Sequence, residues 1–133
     1  MASEISSSPS KEAVLSKATL NAAKYLGLSL SELAQLLEIS ELSVSRLAAS
    51  TRFIDPCGDE GERALMLIRI FSALDALVGG DMDASVTWMN AHNKAIGDLP
   101  RHAIQTLSGL ERTMLYLNNL VAVTAAGQVC RPQ

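Results

Sequence analysis

Residues 29–50 have room for two short helices and almost nothing between them. In "SELAQLLEISELSVSRLAAS" (residues 31–50), Leu33, Leu36 and Leu37 recur at helical spacing, and Val44 and Leu47 do the same a few residues later. Ser29 or Ser31 supplies an N-terminal cap, and Glu32, three residues after Ser29, completes a capping-box spacing. The first helix therefore runs to about Glu38, and Ser40 with Glu41 opens the second. Helices joined by so short a turn must cross in contact. A small residue is needed where they touch, with buried apolar residues at fixed offsets behind it. Ala34 fills the small position, and Ile39, Val44 and Leu47 follow it by 5, 10 and 13 residues.

With Val44 and Leu47 turned inward, Ser43, Ser45, Arg46 and Ala49 face outward, while Ser40 and Glu41 open the helix toward whatever it meets. An arginine there can make paired hydrogen bonds to guanine or hold a phosphate, and serine hydroxyls donate to either. The expected DNA contacts are Ser29, Ser31, Ser40, Glu41, Ser43, Ser45, Arg46, Ser50 and Arg52. An ordinary helical hairpin is the alternative reading of the same spacing. Over residues 30–50 the chain resembles the helix-turn-helix of Xre-type repressors, with Glu38 at the turn position usually held by glycine. A non-glycine residue at positive φ costs on the order of 1 kcal/mol, which predicts a looser or differently built turn.

The rest of the chain also reads as helix. Its 133 residues are 48% hydrophobic but only 4% aromatic, dominated by aliphatic side chains with few β-branched runs, so the expected class is all-α. The serine-rich residues 1–10 are expected to be a flexible tail. Val14, Leu15, Ala18, Ala22, Tyr25 and Leu26 mark a first helix that stops at Gly27. Pro56, Gly58 and Gly61 read as a turn. The boundary placed there gives a helix-turn-helix domain over 11–55 and a second helical domain over 56–133 with a C-terminal tail.

In residues 60–78 the apolar stripe formed by Leu67, Ile70, Phe71, Leu74 and Leu77 is widened by Leu65, Ile68 and Val78, enough for a partner on each side. Asp81 or Asp83 caps a short helix through Trp88 and Met89; Pro100 starts another to about Leu107; a longer helix follows Gly109; "AAGQVCRPQ" lacks periodicity.

The charge pattern narrows function further. The net charge is −3, which excludes a protein that coats nucleic acid non-specifically. Over residues 11–52 the bases Lys11, Lys17, Lys24, Arg46 and Arg52 slightly outweigh Glu12, Glu32, Glu38 and Glu41, whereas the remainder is acidic. The weak basic character thus sits with the two-helix segment. Cys57 and Cys130 have no neighbouring Cys or His at metal-ligand spacing and read as free thiols. His92 and His102 lack a third ligand, and Asp81 and Asp83 read as caps rather than a cation loop. Ser43 and Ser45 have no His/Asp arrangement to activate them, so neither an enzyme nor a cofactor is expected. No apolar run approaches the roughly 18 residues of a membrane span or forms a signal peptide, and the expected location is the cytoplasm with no membrane partner.

The stretch "ALDALVGGDMDASVTWMNAHNKAIGDLPRHAIQTLSG" is similar to the toxin-binding domain of the Xre/MbcA/ParS antitoxin family. The likeness lies in Gly79-Gly80, Trp88-Met89, Asn93, Ile96-Gly97, Leu99-Pro100, Thr106 and Gly109. His92 replaces a common proline and Asp98 a common glycine. Together the two resemblances imply a type II antitoxin that occludes the active site of a NAD-consuming RES-domain toxin and represses its own operon. Trp88, Asn93, Arg101, Gln128, Arg131 and Gln133 are the expected toxin contacts, with the tail entering the toxin's cleft. Leu67, Ile70, Phe71 and Leu74 are the expected homodimer face, since a two-fold dimer presents two recognition helices to a palindromic operator. A stand-alone helix-turn-helix regulator, whose C-terminal part only dimerises or binds a ligand, is the alternative. A third reading is an interaction module whose degenerate helix-turn-helix binds no DNA.

Overall fold

The computed structural model describes residues 10–130, with side chains as far as Thr124. Among the described residues seven helices follow one another: α1 (Lys11–Tyr25), α2 (Leu30–Leu37), α3 (Glu41–Ala48), α4 (Asp59–Val78), α5 (Met82–Met89), α6 (Pro100–Ala103) and α7 (Leu107–Cys130). Among the described residues there is no strand, only an isolated antiparallel bridge between Asn93 and Asp98. The class is all-α, as the composition predicts.

Local chemistry sets the helix ends. The Ser10 hydroxyl accepts from the Ala13 amide at 3.1 Å and starts α1. Gly27, at φ 77°, ends it, with Leu28 N donating to Ala23 O at 2.9 Å. Asp81, rather than Asp83, caps α5 by accepting from Ala84 N at 3.2 Å. Pro100 sits in the first turn of α6, where its missing amide hydrogen costs nothing.

α4 lies at the centre, packed on α7 and α1 and touching α2 and α5. Its Leu67, Ile70 and Leu74 are fully covered within the same core as Leu26, Leu37, Leu47, Leu110 and Leu117. This corrects the expected dimer face: those three side chains are consumed by the chain's own core. Phe71 is half-buried and stacks on Tyr25, ring centroids 5.6 Å apart and 24° from parallel. The turn at Pro56 changes the chain's direction, yet buried side chains before and after it belong to one cluster. Buried Ser16 helps join them. Its hydroxyl donates to Glu12 O and accepts from Ile54 N, both at 2.7 Å, tying the segment after α3 to α1.

The C-terminal helices differ from expectation in two ways. α6 ends at Ala103 and α7 starts at Leu107, so Gly109 lies inside the first turn of α7 instead of before it. The cause is Thr106, whose hydroxyl accepts from Gly109 N at 3.1 Å and whose carbonyl accepts from Leu110 N at 2.8 Å. Glycine is required because a Cβ would run into the Ala103 carbonyl. The segment "AAGQVC", expected to lack periodicity, continues α7 to Cys130. Extending an established helix needs no new nucleus, and its alanines favour extension.

Gly109→Ala should therefore lower the unfolding free energy by about 3 kcal/mol, read as a lower urea midpoint. An unchanged midpoint would show that the α6–α7 corner relaxes freely.

Candidate nucleic-acid interface

The helix-turn-helix turn closes on a left-handed Glu38. Ala34 is buried where α2 meets α3, Val44 and Leu47 are buried beneath α3, and Ile39 is half-buried against the same core. Ser29 caps α2: its hydroxyl accepts from Glu32 N at 3.1 Å, and Glu32 Oε1 accepts from Ser29 N at 2.9 Å. Glu38 adopts the left-handed conformation, φ 60° and ψ 43°, and Ile39 N donates to Ala34 O at 3.0 Å. The looser turn expected from Glu38 does not occur. The side chain accepts the strained backbone, and its carboxylate reaches Arg63 at 3.5 Å.

Around the start of α3, polar groups are already engaged. Ser40 caps the helix by accepting from Ser43 N at 3.0 Å and donates to the Ser43 hydroxyl at 3.0 Å. Ser31 donates to Glu41 Oε2 at 3.1 Å, bridging the first turns of α2 and α3. Among the side chains α3 and its C-cap leave exposed, Leu42, Ser45, Arg46 and Ala49 form one stripe, with Glu41 and Ala48 exposed beside it. Among the described residues Arg46 makes no ion pair. Sequence reasoning placed Ser45, Arg46 and Ala49 here and missed Leu42, which is 59% exposed. Its position opposite Val44 and Leu47 on the helix was the available signal.

Two other expected DNA contacts sit differently. Ser50 is exposed, at φ 62°, in the turn after α3. Arg52 turns away and pairs with Glu60 at 2.8 Å, while the other Glu60 oxygen accepts from Asp55 N at 2.9 Å. Arg52 thus staples the connection from α3 to α4 and offers no free charge to a phosphate. Beside it, a cleft of about 430 Å³ is lined by Glu38, Asp55, Asp59 and Glu60 against Arg52 and Arg63. Acids outnumber bases, so it is a poor cradle for an anion. Among the described residues no cluster of His, Cys, Asp or Glu has metal-site geometry. No helix there is long and apolar enough to cross a membrane. Cys57 is a free, exposed thiol.

The expected toxin contacts that the structure describes have different surroundings. Trp88 is half-buried against the core. Asn93 shapes a loop: its side-chain oxygen accepts from Ala95 N and Ile96 N, and its amide donates to Asp98 O. Arg101 is bound into the fold, with Nε and Nη2 donating to the two Glu32 oxygens at 2.9 and 2.6 Å. Nη2 also donates to Gly27 O at 2.9 Å, and Nη1 to Asn90 Oδ1 at 2.6 Å. This fork holds the Glu32 carboxyl below its usual range and raises Arg101 in turn. Next to it His102 Nδ1 lies 2.6 Å from Asp98 Oδ2, which pushes the exposed imidazole up and the carboxyl down. Gln128 belongs to the last turns of α7, while Arg131 and Gln133 lie outside the described residues.

Val14 of α1, at 52% exposure, and Leu65 of α4, at 42%, line with Ile68 a mainly apolar groove of about 380 Å³ between α1 and α4. Lys11 lies at its rim.

Residues 7–69 match the family model described as the antitoxin Xre-like helix-turn-helix domain. The matched segment runs through α1, α2 and α3 and into α4. No curated protein matches the chain.

Glu38→Gly should raise stability by about 0.5–1 kcal/mol, because relief of the left-handed strain exceeds both the added freedom of the unfolded chain and a solvent-exposed ion pair. Lower stability in chemical denaturation would give the Arg63 contact the larger share. The Glu32–Arg101 pair makes a second prediction. A carboxyl whose folded pKa is depressed contributes fully above its ordinary value, 4.5 for Glu32, and its contribution is lost as pH falls below that through the folded value. Arg101→Met should lose about 1–2 kcal/mol at pH 7 and most of that acid-side slope. Parallel stability profiles of variant and parent between pH 7 and 3 would contradict the assignment.

Proposed function

We propose that this protein is the antitoxin of a type II toxin–antitoxin pair, neutralising a NAD-consuming RES-domain toxin by occluding its active site and repressing its own operon through α3. The observation that carries this reading is the uncovered Leu42–Ala49 stripe of α3 within a segment that matches an antitoxin helix-turn-helix model. The toxin's class comes from the resemblance of residues 73–109. Trp88 and the Asn93 loop are the described residues assigned to the toxin, and Gln128, Arg131 and Gln133 are assigned to it from the sequence alone. Arg101 supports that surface from within, since its guanidinium is already committed to Glu32, Gly27 and Asn90.

The operator-binding unit in this reading is a homodimer, because one eight-residue recognition helix with a single free guanidinium offers little affinity by itself. The groove of Val14, Leu65 and Ile68 is the apolar surface assigned to its interface, in place of the buried Leu67, Ile70 and Leu74.

A stand-alone regulator is the second reading. It is favoured by the end of the family match at residue 69, which leaves α5, α6 and α7 outside it. Coexpression with the protein encoded beside this gene separates the two. Growth rescue together with copurification is the expected result, and absence of both toxicity and complex would leave the regulator.

For DNA, Arg46→Ala should weaken binding to the duplex upstream of the gene by about tenfold or more. If Arg46 holds a phosphate, the slope of log affinity against log salt should also shrink by about one. If it reads guanine, preference at one base pair should relax instead. Unchanged affinity would remove α3 from the interface.

A further inference from the structure

Leu42 lies in the first turn of α3 with its side chain 59% exposed, while Val44 and Leu47 carry that helix's contact with the core. A single exposed leucine is ordinary on a protein surface. The groups around this one make it informative. On its flanks the polar side chains are bonded to each other, Glu41 to Ser31 and Ser40 to Ser43. Along its own stripe, Ser45, Arg46 and Ala49 follow at three, four and seven residues, all exposed. Ser45 and Ala49 are small, so α3 can approach a groove closely enough for Leu42 to reach its floor. There the polar edges of bases offer a leucine nothing. The 5-methyl of thymine is the one apolar group that the major groove presents.

We propose that Leu42 is a specificity-determining residue that packs on a thymine methyl, with Arg46 as the polar contact on the same stripe. This rests on the DNA-reading part of the proposed function. Four helical residues advance about 6 Å along the axis, and base pairs are about 3.4 Å apart. The thymine therefore lies about two base pairs from the position that Arg46 reads, or from the phosphate flanking it. Cytosine and uracil, which lack the methyl, are discriminated against at that position by shape and burial alone.

The test uses the full chain and a duplex enriched from a random-sequence library by binding to it. Each thymine of the enriched duplex is replaced in turn by deoxyuridine, which removes only the methyl, and affinities are measured for the parent and for Leu42→Ala. Thermal unfolding of the variant serves as the folding control; an exposed site should leave it unchanged. One replacement should weaken the parent roughly fourfold, the worth of one buried methyl, and change Leu42→Ala by less than about 1.5-fold. The variant itself should bind the unmodified duplex roughly five- to tenfold more weakly. If every replacement is neutral for the parent, or the sensitive one is equally sensitive in Leu42→Ala, the assignment of Leu42 is overturned while DNA reading stands. If no sequence is enriched at all, DNA reading itself fails and takes the assignment with it.

Discussion

A helix covered on two flanks cannot be moved without uncovering both, and α4 is such a helix. α1 with the helix-turn-helix lies against one side and α7 against another, and Leu67, Ile70 and Leu74 are fully covered between them. Each such side chain contributes about 1.5–3 kcal/mol relative to exposure, so loss of either neighbour would expose a large part of the domain's stability. The segment that meets DNA in the proposed function and the segment assigned to the toxin therefore share one core.

Polar contacts refine that attachment at the point where it matters for α2. Glu32 is both the second half of the Ser29 capping box and the partner of Arg101, which comes from α6. One carboxylate thus caps the start of one helix and anchors a distant one. Exposed ion pairs add little, but this one is forked and partly covered, and its guanidinium also satisfies the Gly27 carbonyl. A displacement of α6 therefore pulls on the carboxylate that caps α2.

The recognition stripe carries little charge. With Arg52 bound to Glu60 and Glu41 bonded by Ser31, Arg46 is its one cation, and Leu42, Ser45 and Ala49 are uncharged. In the proposed function such a face gains little from the phosphate backbone and draws its preference from close fit to base edges and from pairing of two copies. The net charge of −3 is consistent with that, since it opposes indiscriminate adhesion to nucleic acid.

Much of this was legible in the chain. Periodicity and caps located α1, the helix pair, α4 and α5, because each of those signals is local: Ser29 with Glu32, Gly27, Asp81 and Pro100 act within a few residues of themselves. The Ala34, Val44 and Leu47 offsets likewise report contacts inside one supersecondary unit. Other assignments depended on which partner a side chain meets across the fold. A broad apolar stripe cannot say whether its cover is another helix of the chain or a second copy, so Leu67, Ile70 and Leu74 read as an interface and proved to be core. An arginine cannot announce that a glutamate from elsewhere will claim it, as Glu60 claims Arg52 and Glu32 claims Arg101. Sequence determined the helices, their ends and the crossing of α2 with α3, since those rest on short-range hydrogen bonds and spacing. Only the tertiary structure decided which charges stay free and which apolar side chains stay exposed, because both depend on what distant segments leave uncovered.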